Sequence, residues 1–169
     1  MTFLARLFRP HSPPAADAVY AAIVAAARDP GWYRAGGVAD TIDGRFDAVA
    51  LVAALVLLRL EREGDPARQL SADLTDRFIA DMDGSLRERG IGDPTVGKQV
   101  GHMIAALGGR LGAYRDALAG GDLAAALRRN LYRGATVDPA AVDWSVRRVR
   151  ALADALARRS LADIEDGRL

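Results

Sequence analysis

Residues 81–98 read Asp-Met-Asp-Gly-Ser-Leu-Arg-Glu-Arg-Gly-Ile-Gly-Asp-Pro-Thr-Val-Gly-Lys, and two chemistries can be drawn from that run. Its last third, Gly92 to Lys98, fits the G-x-x-x-x-G-K spacing of a loop whose backbone N–H groups cradle phosphates. The fit fails on residue types. Gln99 stands where a Ser or Thr hydroxyl would hold magnesium, no buried strand precedes the loop, and Asp93 sets a carboxylate where phosphates would approach. Asp93-Pro94 reads instead as a helix cap followed by the first helical residue, with the ring supplying a preset φ. Lys98 is the only lysine of the chain.

The second chemistry is acid–base or metal binding by Asp81, Asp83, Glu88, Asp93 and His102, since hard cations favour clustered carboxylates. Asp81 and Asp83, two residues apart, point to different sides of a helix, and nothing marks a ligand loop, so the charges read as solvated groups or ion pairs with Arg45, Arg87 and Arg110. With histidine only at 11 and 102 and no cysteine, a Ser-His-Asp arrangement, a thiol nucleophile and a cysteine-held metal are excluded. His102 and Met103 do not by themselves make a haem site. The expectation is a protein that is not an enzyme and carries no cofactor or metal.

The elements that would position these residues are helices. Alanine, leucine and arginine dominate, apolar residues recur three or four apart, and no strand-type alternation is found. The spacing predicts an all-α, single-domain bundle of about six or seven helices. They fall near 14–28, from the Asp43–Asp47 stretch to 63, 66–83, 93–119, 122–132 and 138–159, with a short turn or helix through Leu86 and a loop over 32–44. Residues 48–60 are apolar almost all round, which belongs in the centre of a bundle. A tail over 1–13 precedes a helical domain over 14–169, whose last third is expected to be the more mobile.

The helix after Asp93 carries two stripes. Val96, Val100, Met103, Leu107, Leu111, Tyr114 and Leu118 make a core face, and Gly97, Gly101, Gly108 and Gly112, with Ala105 near the seam, make a second. Each helical glycine costs about 1 kcal/mol relative to alanine, so something should press against that stripe. The ordinary occupant is another helix of the same domain. The alternative is an apolar helix of a partner, since small residues at four-residue spacing let backbones approach.

Composition bounds the partners. Lys plus Arg is 23 against 22 for Asp plus Glu, a net charge of +1 that gives no global attraction to nucleic acid, and DNA is not expected. The arginines of the last third (128, 129, 133, 147, 148, 150, 158 and 159) are interrupted by Asp138, Asp143 and Asp154 and read as a solvated face rather than an RNA surface. The longest apolar run, residues 48–58, falls short of the ~20 needed to span a bilayer. Phe3, Leu4, Leu7 and Phe8 around Arg6 and Arg9 form a short amphipathic piece suited to a membrane surface or to docking on a partner.

Several ordered motifs now coincide. Tyr20-x-x-Ile23-Val24 with Ala27-Arg28 and Pro30, Asp40-Thr41-x-Asp43-Gly44-Arg45-Phe46-Asp47, Asp81-Met82-Asp83, Leu86-Arg87-Glu88, Gly90-x-Gly92-Asp93, Lys98, and Gly109-Arg110 with Tyr114 resemble the ubiquinol-cytochrome c chaperone family, most strongly over 19–118. The resemblance implies an assembly chaperone for ubiquinol-cytochrome c reductase (complex III) that binds newly made cytochrome b, or another complex III subunit, non-covalently. In mitochondrial members the client is received near the ribosome and held for haem acquisition. The chain looks bacterial, which implies a cytoplasmic protein, peripheral on the inner face of the membrane, with ribosome contact a further possibility. The residues expected to meet the client are Arg45, Asp81, Asp83, Arg87, Glu88, Asp93, Lys98, Gly101, His102, Gly108 and Arg110. An RNA- or ribosome-binding helical module and a small-molecule-binding helical protein are the alternative readings.

Overall fold

The computed structural model describes residues 14–87 and 96–169, and for residues 83–87, 96–100 and 102 the backbone alone. Among them the chain forms α1 (Pro14–Ala27), α2 (Pro30–Arg34), α3 (Ile42–Glu61), a 3-10 turn (Asp65–Ala67), α4 (Arg68–Arg87), α5 (Val96–Leu118), α6 (Leu123–Asn130), α7 (Pro139–Arg158) and α8 (Leu161–Glu165), with no strand. The all-α class is as expected.

α3 is the axle of the bundle and packs against α1, α4, α5 and α7. Its residues 47–57 and Leu60 are all buried, as an all-round apolar helix requires. Each fully buried Val or Leu contributes roughly 1.5–3 kcal/mol, so this one helix supplies much of the core. Its start is set by Thr41, whose hydroxyl accepts from the Gly44 backbone N–H at 3.1 Å. Gly44 is required there: a Cβ would lie 2.0 Å from the Ala39 carbonyl oxygen. At the other end Arg59 donates from Nε to the Leu156 carbonyl (2.9 Å) and from Nη2 to that of Arg159 (2.7 Å), pinning the C-terminus of α7 to α3.

The loop expected over 32–44 is partly helical. Asp29 caps α2 by accepting from the Gly31 N–H at 2.7 Å, and Pro30 occupies the first turn. Trp32 Nε1 donates to the Ala26 carbonyl and the Tyr33 hydroxyl to that of Ala27, both at 3.0 Å, so two aromatic side chains satisfy the last turn of α1. Trp32 is buried against Trp144 of α7, edge to face at 5.7 Å.

Other bounds moved for local reasons. Residues 65–67 form the 3-10 turn and α4 starts only at Arg68. α4 then runs unbroken to Arg87, where a break near Asp83 was expected. α6 stops at Asn130, and Leu131 and Tyr132 turn inward, the Tyr132 hydroxyl donating to the Gly36 carbonyl at 2.6 Å and accepting from Ser145 at 2.8 Å. α8, not anticipated, is fixed by a capping box between Ser160 and Asp163 and lies against α1. Among the described residues no helix is long and apolar enough to cross a membrane.

Candidate functional site

Asp47 is the one carboxylate in the buried stretch of α3, and it collects two arginines from distant parts of the chain. Arg110 Nη2 of α5 donates to Oδ1 at 2.5 Å, and Arg133 Nε, beyond α6, donates to Oδ2 at 2.5 Å. Arg133 Nη1 also pairs with Asp43 at 3.1 Å. Arg133 has φ +52°, a left-handed conformation that a non-glycine residue seldom adopts, so this contact holds the backbone in an uncommon turn. The hydrogen bond to Asp47 raises the Arg133 pKa further, against the opposing effect of burial. Arg110 lies 5.4 Å from the Phe46 ring centre, completing a cation–π contact. Arg133, grouped above with a solvated arginine face, is therefore part of the interior framework, as is Arg110.

Above this framework opens a cavity of about 410 Å³. Val24 of α1, Phe46 and Val49 of α3, Met82 of α4 and Met103 of α5 give it an apolar floor. Ile42, 60% exposed, stands at its mouth with Tyr33, and its charged lining is Arg28, Asp43, Arg45, Asp81 and Arg133. Arg45 is paired with Asp40 at 2.8 Å, both well exposed. Asp81 accepts the Tyr20 hydroxyl at 2.8 Å, while Arg77 stands 3.7 Å from its other oxygen and 4.8 Å from the Tyr20 ring centre. Burial first, then the bond to Asp81, pushes the Tyr20 pKa up. Burial, aided by Asp40, does the same for Tyr33, with Arg45 and Arg28 opposing it.

The second surface is the outer face of α5. Met103, Leu107 and Tyr114 point into the bundle, with Leu111 and Leu118 partly covered. On the opposite side Gly101, Ala105, Gly108 and Gly109 are exposed, with Ile104 42% exposed beside them. A Cβ built at Gly101, Gly108, Gly109 or Gly112 would meet nothing within 4 Å. The expectation that another helix of the domain packs on this stripe is thus overturned among the described residues.

The residues named from sequence are divided among three places. Arg45 and Asp81 meet at the cavity, Arg110 belongs to the framework beneath it, and Gly101 and Gly108 lie on the open face of α5. Glu88 and Asp93, with the proposed cap at Asp93, lie outside the described residues, as do the side chains of Asp83, Arg87, Lys98 and His102. Asp47, read from sequence as a helix-start charge that internal ion pairing could explain, and Arg133, read as part of a solvated face, were not among the expected site residues. A signal for Asp47 was present, because a carboxylate in a helix apolar on all sides must be buried and needs a cation. Nothing local marked Arg133 as that cation. Among the described residues no three His, Asp or Glu side chains are grouped to hold a metal.

The described residues thus form an all-α bundle with a polar-rimmed apolar cavity and an exposed small-residue face. Residues 34–169 match the family model described as ubiquinol-cytochrome C chaperone, and the chain belongs to that family. It therefore stands among assembly chaperones for ubiquinol-cytochrome c reductase. A solved structure, the crystal structure of the Cbp3 homolog from Brucella abortus, matches with a TM-score of 0.79 and 34% identity, covering 98% of this chain and 94% of that one. A comparison with curated protein sequences gave no significant match.

Proposed function

We propose that this protein binds newly made cytochrome b non-covalently, laying an apolar helix of the client along the outer face of α5. The observation that carries the reading is the open space that the described residues leave over Gly101, Gly108, Gly109 and Gly112. Four helical glycines cost roughly 4 kcal/mol relative to alanine, and the described fold returns none of that by packing on them. Glycine and alanine at this spacing admit a second helix at close backbone distance, which suits a client made of membrane-spanning helices. Ile104 and Ala105 extend the apolar surface. The cavity beside Arg45 and Asp81 lies on the other side of α5 and is no part of this face. The amphipathic residues Phe3, Leu4, Leu7 and Phe8 hold the protein at the inner surface of the membrane, where such a client is inserted.

The chain has no cysteine, so Ala105→Cys creates a single attachment point for a photocrosslinker on the exposed face. Crosslinking in cells followed by solubilisation should yield an adduct with cytochrome b, with far less from a cysteine placed at exposed Asp154 on α7. An adduct with a different complex III subunit, or recovery of RNA without cytochrome b, would contradict the reading.

A further inference from the structure

We propose that the cavity between α1, α3, α4 and α5 is a binding site for a single-chain amphiphile with one anionic head group, its chain on the apolar floor and its head at Arg28 and Arg45. This site is separate from the client face, because Met103 points into the cavity from the side of α5 opposite Gly101 and Gly108.

Size and lining set the class of ligand. At about 410 Å³ the cavity stands toward the small end of the ~300–1,000 Å³ typical of pockets that enclose small molecules. That suits one hydrocarbon chain better than a two-chain lipid. Phe46 and Val49 give a firm wall, and Met82 and Met103, unbranched and polarizable, can adapt to a flexible chain.

Charge sets the head group. Among the described residues the lining carries three arginines and two aspartates, and most of that charge is already matched. Arg133 is held by Asp47 and Asp43, and Asp81 is occupied by Tyr20 with Arg77 alongside. Among the described residues Arg45 has Asp40 as its single carboxylate, bonded through Nε, so the rest of its guanidinium fork remains to donate. Arg28 is exposed and makes no ion pair among the described residues. Arg28, Tyr33 and Arg45 all line the same cavity. Among the described residues the unmatched charge at the mouth is therefore positive, and a carboxylate or phosphate monoester can accept from both guanidiniums.

Calorimetric titration of the full chain with dodecanoate, dodecyl phosphate and dodecyltrimethylammonium, all kept below micelle formation, tests this. Saturable one-to-one binding is expected for at least one of the two anions, and their ratio identifies the head group. The cation of equal chain length should bind at least about tenfold more weakly, the size of one charge-assisted hydrogen bond. Arg28→Ala and Arg45→Ala should each weaken the anion about tenfold, and Ile42→Asp, at an exposed position, should do the same by adding a like charge. Circular dichroism of each variant confirms that the fold is retained. Equal binding of cation and anion, no saturable binding of either anion, or unchanged affinity in a folded Arg28→Ala protein would overturn the assignment.

Discussion

Arg110 and Asp47, 63 positions apart in sequence, meet at 2.5 Å inside the bundle, with Asp47 1% and Arg110 13% exposed. Asp47 is thereby the node at which α3, α5 and the segment after α6 are joined, because Arg133 takes its second oxygen. Removing one member of a buried pair leaves a charge without compensation. Asp47→Ala should therefore cost about 3–5 kcal/mol in urea unfolding, whereas Asp47→Leu combined with Arg110→Met should cost clearly less. Half-exposed Arg133 can turn to water in both variants. A cost below about 1 kcal/mol for Asp47→Ala would show that the node is not structural.

The glycines fall into two kinds, and alanine separates them. At Gly108 or Gly109 there is open space, so alanine should raise stability by about 1 kcal/mol through helix propensity. At Gly44 the added Cβ would strike the Ala39 carbonyl, a backbone atom that cannot swing aside, and about 3 kcal/mol should be lost. Chemical denaturation of the three single variants reads both signs.

The four tyrosines, Tyr20, Tyr33, Tyr114 and Tyr132, all have pKa values raised above 10, chiefly by burial. A raised folded pKa contributes stability that is fully present below the unfolded value of about 10 and is lost as pH rises through the folded pKa. Spectrophotometric titration should show little phenolate formation at pH 10, followed by a steep rise that coincides with alkaline unfolding. Independent titration of one or more tyrosines near 10 in the folded protein would contradict this.

Asp163 carries the opposite shift. The Ser160 hydroxyl first, then Arg168 and the Ser160 backbone N–H, hold its pKa down to about 2. The capping contribution is present above the unfolded carboxyl value of about 3.9 and fades as pH falls through the folded one. Ser160→Ala should bring the Asp163 titration, followed by carbon-detected NMR, back toward that ordinary value. An unchanged midpoint would remove the hydroxyl as the cause.

Much of this fold is legible in the sequence because its signals are local. The run from Ala48 to Leu60 could only be a central helix, and Asp122 and Asp138-Pro139 cap α6 and α7 as their residue types require. The five-residue helices α2 and α8 are too short to show a period, and their stability comes from Trp32 on Trp144 and from packing of α8 on α1. The sites are less legible still. A glycine stripe implies close packing but not by what, and the Asp47 node depends on side chains brought from 63 and 86 positions away. Such pairings follow from topology, which no local pattern encodes.

The central claim is that the open face of α5 is kept for an external helix. The most direct measurement replaces Gly101 and Gly108 together by leucine and reads urea stability and cytochrome b capture side by side. Stability should be unchanged or slightly raised, since both positions are open among the described residues and leucine is the better helix former. Capture should fall by about tenfold or more, because branched side chains bar close approach of a second helix. A stable double variant that still captures cytochrome b at the wild-type level would contradict the account, as would loss of the fold itself, which would mean that the stripe packs within the protein.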